Sequence, residues 1–184
     1  TGMLYSAELI HILASFLKEH SVKLVLDPVM ISSSGSELLQ ADAVQTMCEE
    51  LFPLADLLTP NLDESVRLLG HAIENQKELQ SAARELYDKF GRPVLAKGGH
   101  LRDSEEAIDI LWDGKAEYIF RKPFVLGVSP HGTGCTFSSA ITAALALGHP
   151  LPAAVEMGKN YVFQAIKDSV KIADHYALNW LGNQ

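Results

Sequence analysis

The sequence of 184 residues is 47% hydrophobic and 21% charged, a balance typical of a folded globular protein rather than a disordered one. The net charge of −8 and the scattered lysines and arginines argue against a nucleic-acid-binding protein, which needs a clustered basic surface. The longest apolar runs are far shorter than the roughly 20 residues that span a membrane. Composition and charge therefore predict a compact soluble protein with no nucleic-acid or membrane partner.

Helical and strand patterns alternate along the chain. Apolar spacing predicts helices at 7–18, 41–51, 61–70, 75–90, 136–147 and 152–177, with a loop at 32–36. Short apolar segments predict strands at 22–26, 57–58 and 93–96. Asp113-Gly114 between two further apolar runs predicts an antiparallel edge hairpin. The alternation predicts one α/β domain over residues 1–184, with a mostly parallel sheet flanked by helices.

A short glycine-rich turn precedes the helix predicted at 136–147. Gly132 and Gly134 let the backbone approach a ligand closely, and the free amides of a helix start favour an anion. The turn is neither a P-loop nor a Rossmann fingerprint, because the glycine and lysine spacing of those motifs is absent. A tight turn before a closely packed helix is the alternative, and the residues alone leave both interpretations open.

Five motifs resemble, in order and spacing, those of the hydroxymethylpyrimidine/phosphomethylpyrimidine kinases of the ribokinase-like superfamily. They are Thr1-Gly2-Met3-Leu4, Asp27-Pro28-Val29-Met30, Thr59-Pro60-Asn61 with Glu64, Lys97-Gly98-Gly99-His100 and His131-Gly132-Thr133-Gly134-Cys135. The resemblance extends over essentially the whole chain. It implies a ribokinase-like fold, with residues 1–184 as its C-terminal two-thirds. It also implies ATP- and Mg²⁺-dependent phosphorylation of hydroxymethylpyrimidine and then of its monophosphate, in thiamine biosynthesis.

The resemblance assigns catalytic roles to the glycine-rich turn. Cys135 would be the base that faces the substrate hydroxyl, at a position where most ribokinase-like enzymes have an aspartate. Gly132, Thr133 and Gly134 would form the anion hole for the transferred phosphoryl group. A helix start favours a thiolate, which suits this role, whereas a small thiol packed under the helix is the alternative. Cys48 lies on an apolar helix stripe and is predicted to belong to the core.

Metal-supporting roles fall on two carboxylates. By the resemblance, Glu64 and Asp27 would hold Mg²⁺ through water, since this ion usually keeps several waters. Asn61 would orient the ATP phosphates or the waters of the metal. A plain helix N-cap with a negative charge in the first turn also accounts for Asn61 and Glu64, and the two interpretations are compatible.

Two lysines and a glycine complete the ATP site that the resemblance implies. Lys97 follows a predicted strand and Lys159 lies on the last long helix, and both are similar to family lysines that meet ATP phosphates. Gly99, in the same motif as Lys97, is assigned to the ATP site with it. A solvated surface lysine is the alternative for either lysine.

Two other functions stay open at this stage. A pyridoxal or pyridoxine kinase of the same superfamily is one, because some share the Gly-Thr-Gly-Cys form and their substrates are also flat heteroaromatics with a CH₂OH group. A catalytically silent nucleotide-binding fragment is the other. The resemblance implies that much of the pyrimidine pocket precedes Thr1, so we expect this chain to be poorly active alone.

Assembly and location are predicted from general features. Exposed sheet edge and apolar surface favour association, so a homo-oligomer, most simply a dimer, is expected around a small-molecule substrate site. Cys48 and Cys135 lie in unrelated contexts, which predicts no structural disulfide and a reducing, cytoplasmic environment.

Overall fold

The computed structural model describes residues 1–31, 37–99, 101, 105–128 and 131–182. The loop predicted at 32–36 and the motif residue His100 lie outside these residues. The helices are α1 (Ala7–Glu19), α2 (Ala41–Thr46), α3 (Leu62–Leu69), α4 (Gln76–Phe90), α5 (Thr133–Ala146) and α6 (Leu151–Lys167). The strands are β1 (Val25–Leu26), β2 (Leu57–Leu58), β3 (Val94–Gly98), β4 (Glu106–Trp112), β5 (Glu117–Pro123), β6 (Val170–Ile172) and β7 (His175–Ala177). Within the described residues, no helix is both long and apolar enough to cross a membrane.

The main sheet has five strands in the order β1-β2-β3-β4-β5. β1, β2 and β3 pair in parallel, with Val25 opposite Leu57 and Leu58 opposite Val94. β4 is antiparallel to β3 and to β5, so four of the five strands run in one direction. The predicted α/β architecture, mostly parallel with an antiparallel edge hairpin, is confirmed.

The sheet separates two apolar layers because successive side chains of a strand point to opposite faces. Leu26, Leu58 and Val94 pack with the buried side chains of α1, α2 and α4. Their neighbours Val25 and Leu57 pack with α5 and α6 on the other face. The carboxyl ends of β1, β2 and β3 therefore emerge together between α3 and α5.

The helices α5 and α6 approach each other closely at Gly158. A Cβ atom added there would lie only 2.7 Å from Ile141 Cγ1. No larger residue fits without displacing the side chains of α5. The close contact packs α5, whose first turn carries the glycine motif, directly against α6.

Three predicted elements differ from the structure. The strand predicted at 22–26 is reduced to β1, and the helix predicted at 41–51 is α2 followed by a π-helical turn, Met47–Leu51. The helix predicted at 152–177 is wrong beyond Lys167, because β6 and β7 form an antiparallel hairpin there. The β-branched residues Val170 and Ile172 alternate in β6, a pattern that favours a strand over a continued helix.

Candidate active site

Buried polar side chains meet at the carboxyl ends of the parallel strands. Asp27 follows β1, Thr59 follows β2, and Lys97 lies near the end of β3. Lys97 Nζ is 2.7 Å from Asp27 Oδ1, to which Thr59 Oγ1 also donates at 3.2 Å. Ser138 of α5 donates to Asp27 Oδ2 at 3.1 Å. A buried ion pair with additional hydrogen bonds therefore joins three strands and a helix.

The start of α3 is built around Asn61 and Glu64. Asn61 Oδ1 accepts from the Glu64 backbone N at 2.9 Å, and Glu64 Oε2 accepts from the Asn61 backbone N at 2.8 Å. This reciprocal capping box satisfies two amides of the helix start. Glu64 Oε1 also accepts from the Met30 backbone N at 3.4 Å. The capping role that the sequence allowed for these residues is present.

Glu64 is nevertheless an unusual capping residue because its side chain is almost completely buried. Burial raises the pKa of Glu64 to about 7, against the opposing effects of the Lys97 charge and of the Asn61 amide hydrogen bond. The nearby negative charge of Asp27 adds to the rise in this pKa. A cation brought close to Glu64 would favour its ionised form.

The first turn of α5 is open to an anion. Gly132 is its N-cap residue with φ of +81°, a left-handed conformation that favours glycine, and no described side chain caps the helix. A Cβ atom added at Gly134 would lie 3.4 Å from Lys97 Nζ. The Lys97 ammonium therefore lies next to the amides of residues 132–135, and both carry positive potential.

The two cysteines occupy different environments. Cys135, in the first turn of α5, is exposed and lines one end of a groove of about 720 Å³ formed by α5, α6 and Trp180. Cys48 packs against the core, and burial raises the pKa of its thiol to about 11. The packed-thiol alternative thus describes Cys48, whereas Cys135 is accessible to a ligand.

Lys159 has a different partner from Lys97. Its Nζ is 2.6 Å from Asp109 Oδ2 in β4, and both side chains are buried. The other carboxylate oxygen of Asp109 accepts from the Gly98 backbone N at 3.1 Å. The Lys159 ammonium is therefore paired inside the protein, so the solvated-surface alternative does not match its surroundings, and its phosphate role stays a prediction.

Of the glycine pair after Lys97, the first is sterically constrained. A Cβ atom at Gly98 would lie 2.6 Å from the Ile108 carbonyl oxygen, whereas one at Gly99 would meet nothing within 4 Å. Gly98 is needed for the approach of β3 to β4. Gly99 leaves open space beside the strand end, where a ligand could approach the backbone.

The carboxylate oxygens at the strand ends suit a metal ion that keeps much of its hydration shell. Among the described residues, no three histidine, cysteine, aspartate or glutamate side chains converge on one point. Asp27 and Glu64 have hydrogen-bonded oxygens, but a carboxylate pair has further lone pairs. Two carboxylates completed by water and phosphate oxygens are a common donor set for Mg²⁺.

A family pattern described as phosphomethylpyrimidine kinase matches residues 1–179. The chain belongs to this family. It is 38% identical over 178 residues to the hydroxymethylpyrimidine/phosphomethylpyrimidine kinase of Aquifex aeolicus, with 96% of this chain and 69% of that relative covered. It is 45% identical over 168 residues to the thiamine biosynthesis bifunctional protein ThiED of Geobacter sulfurreducens, with 91% of this chain and 34% of that relative covered.

Solved structures related to the family share the fold. The pyridoxal kinase of Staphylococcus aureus, in complex with AMP-PCP and pyridoxal, superposes with a TM-score of 0.87 at 31% identity, over 98% of this chain and 65% of that one. The predicted ribokinase-like fold is thereby confirmed. The chain spans about a third of the bifunctional relative and about two-thirds of the Aquifex kinase.

The structure brings most of the predicted site residues together at one edge of the sheet. Asp27, Asn61, Glu64 and Lys97 lie beside the first turn of α5, which contains residues 132–135. Lys159 is paired with Asp109, which also accepts from the Gly98 amide next to Lys97. Their roles in binding and catalysis stay predictions.

Sequence reasoning missed three polar residues of this region. Thr59 stood within a quoted motif but had no role assigned, and Asp109 and Ser138 were not singled out. The available signal was a single polar residue within an apolar segment, as in the run Ile108-Asp109-Ile110. Such a residue needs a buried partner.

The raised pKa of Glu64 predicts a pH dependence of stability in metal-free buffer. The folded-state pKa of about 7 lies above the ordinary 4.5, so the folded protein binds more protons between these values and loses stability as pH rises through this window. Across this window the free energy of unfolding should fall by about 3 kcal/mol. Urea unfolding of Glu64→Gln between pH 4.5 and 8 should not show this fall in the free energy of unfolding. The control is Asp63→Asn at the exposed neighbour, which should keep the pH-dependent loss of stability. If the free energy of unfolding of Glu64→Gln changes with pH as in the wild type, Glu64 is not the group responsible.

The Lys159–Asp109 pair predicts a large stability effect. Lys159→Met leaves Asp109 buried without its cation and should lower the free energy of unfolding by about 3 to 5 kcal/mol. The double variant Lys159→Met/Asp109→Asn should regain most of this loss, because an asparagine oxygen can still accept from the Gly98 amide. Exposed Lys167→Met on the same helix should change stability by less than about 0.5 kcal/mol. A Lys159→Met variant with normal stability and weak ATP binding would instead support the phosphate role.

Proposed function

We propose that this chain forms the nucleotide-binding and phosphoryl-transfer part of a kinase that uses ATP and Mg²⁺ to phosphorylate hydroxymethylpyrimidine and its monophosphate. The observation that carries the proposal is the position of Lys97 beside the start of α5, which no described side chain caps, next to the buried carboxylates Asp27 and Glu64. The names of the family relatives support the reaction and its place in thiamine biosynthesis.

Phosphoryl transfer relies mainly on positioning and on stabilisation of negative charge. The amides of residues 132–134 and the Lys97 ammonium would bind the oxygens of the transferred group. Asp27 and Glu64 would hold Mg²⁺ through water, and Asn61 would orient those waters or the phosphates. The bound Mg²⁺ would supply charge neutralisation. Gly99 would admit the nucleotide close to the backbone at the end of β3.

Cys135 is the proposed general base. Its exposed thiol lies in the first turn of α5, beside the amides that open the helix. The thiolate sulfur would accept the proton of the substrate CH₂OH group as the hydroxyl oxygen bonds to the γ-phosphorus of ATP and the bond to the ADP leaving oxygen breaks. No other described cysteine competes, because Cys48 is packed against the core.

A pyridoxal kinase is the second candidate. The structural similarity to the Staphylococcus aureus pyridoxal kinase favours it, but identity is higher to the pyrimidine kinases. Parallel phosphorylation assays with hydroxymethylpyrimidine and pyridoxal discriminate the two, and no turnover with either would favour a silent nucleotide-binding fragment. The predicted dimer and cytoplasmic location stay predictions.

The first test of the proposed function is nucleotide binding by calorimetry. ATP should bind more tightly with Mg²⁺ than without it, and Glu64→Gln should lower Mg-ATP affinity about tenfold, a change of about 1.4 kcal/mol. Asp63→Asn removes a neighbouring exposed carboxylate and should leave the affinity unchanged. Equal affinity with and without Mg²⁺ would exclude the metal role.

The second test concerns the base. Cys135→Ala should lower kcat by about 10² to 10⁴, the usual contribution of a positioned base, with nearly unchanged ATP affinity. Cys135→Asp should retain part of the activity, and Cys48→Ala should retain all of it. Steady-state kinetics would be measured on this chain and on the chain preceded by the N-terminal part of a longer family member. Wild-type kcat in Cys135→Ala would show that the base lies elsewhere.

A further inference from the structure

Ser138 is a buried hydroxyl on an otherwise apolar helix face. The other buried residues of α5 are Phe137, Ile141, Ala144 and Leu145, while Ser138 is only 5% exposed. A buried hydroxyl is tolerated where it has hydrogen-bond partners. Ser138 Oγ donates to Asp27 Oδ2 at 3.1 Å and lies 3.0 Å from Thr59 Oγ1. It is thus the link between α5 and the polar network at the strand ends.

The position of Ser138 along α5 relates it to the glycine-rich first turn of the helix. Ser138 follows Gly134 by four residues, about one helical turn, so both lie on the same side of α5. Gly134 faces Lys97 Nζ, and Ser138 contacts Asp27, the ion-pair partner of Lys97. Two points on α5 therefore meet the two members of one buried ion pair.

Contacts at these two positions fix the rotation of α5 about its axis and its position along that axis relative to the strand ends. Without the Ser138 hydroxyl, the apolar contacts of α5 would still hold the helix against the sheet, because they are not directional. They would not fix the distance between Lys97 and the first-turn amides. A hydrogen bond to a carboxylate is directional and stronger than one between neutral groups.

We propose that Ser138 is a positioning residue that holds the first turn of α5 over Lys97, so that the amides of residues 132–135 and the Lys97 ammonium converge on the same phosphate group. The inference rests on the proposed function for the identity of that phosphate group. The geometric part, the coupling of the α5 start to Asp27 and Lys97, is independent of any nucleotide.

Ligand binding tests the phosphate part. By calorimetry, Ser138→Ala should bind Mg-ATP and inorganic pyrophosphate about tenfold more weakly, as expected when a hydrogen bond to a charged group is lost. Binding of adenosine, which lacks phosphate, should be unchanged. Ser138→Thr keeps the hydroxyl and should restore most of the affinity. Ser139→Ala, an exposed serine next in the chain, should match the wild type.

Hydrogen exchange of the nucleotide-free chain tests the geometric part. The Thr136 amide, which donates to the Gly132 carbonyl oxygen at 2.9 Å, should exchange several-fold faster in Ser138→Ala, but not in Ser139→Ala, with the amides of the later turns of α5 unchanged. Exchange and pyrophosphate affinity both equal to wild type would overturn the inference, as would an equal loss of affinity for adenosine and Mg-ATP. A wild-type chain that fails to bind Mg-ATP would remove the proposed function, while the exchange comparison would still decide the role of Ser138.

Discussion

The buried ion pair between Lys97 and Asp27 is the interaction on which the arrangement of the strand ends depends. Its partners come from β3 and from the end of β1, and β2 lies between these strands. Removing two charges from water is unfavourable unless each keeps good partners. Thr59 and Ser138 provide further hydrogen bonds to Asp27, so the network around the pair fixes the positions of three strands and of α5 together.

The same pair leaves a local excess of positive potential where α5 begins. Asp27 compensates the Lys97 charge, but the amides at the start of α5 add partial positive charge next to the lysine, and no described side chain caps them. Glu64 lies nearby in a buried site that disfavours its negative charge. Binding of an anion together with a cation would relieve both imbalances, which agrees with a site for a magnesium nucleotide.

Lys97 and Lys159 form similar buried ion pairs but have different surroundings. Both are buried, and each forms a short ion pair with an aspartate. Lys97 also borders the open first turn of α5. Lys159, on α6, instead pairs with Asp109, which connects it to the Gly98 amide. One pair faces a site that a ligand can enter, and the other joins α6 to the sheet.

The sequence by itself determined the α/β alternation, the edge hairpin, the capping residues of α3 and the glycine motif, because these depend on local periodicity and short-range hydrogen bonds. Only the tertiary structure decided the partners of Lys159 and Ser138, which are 50 and 111 residues distant in the chain. The hairpin after Lys167 is instead a local element, since β6 pairs with β7 a few residues later, and the alternation of Val170 and Ile172 was its available signal in the sequence. Partner choice of a buried polar group depends on which distant segments meet, and local sequence patterns do not contain that information.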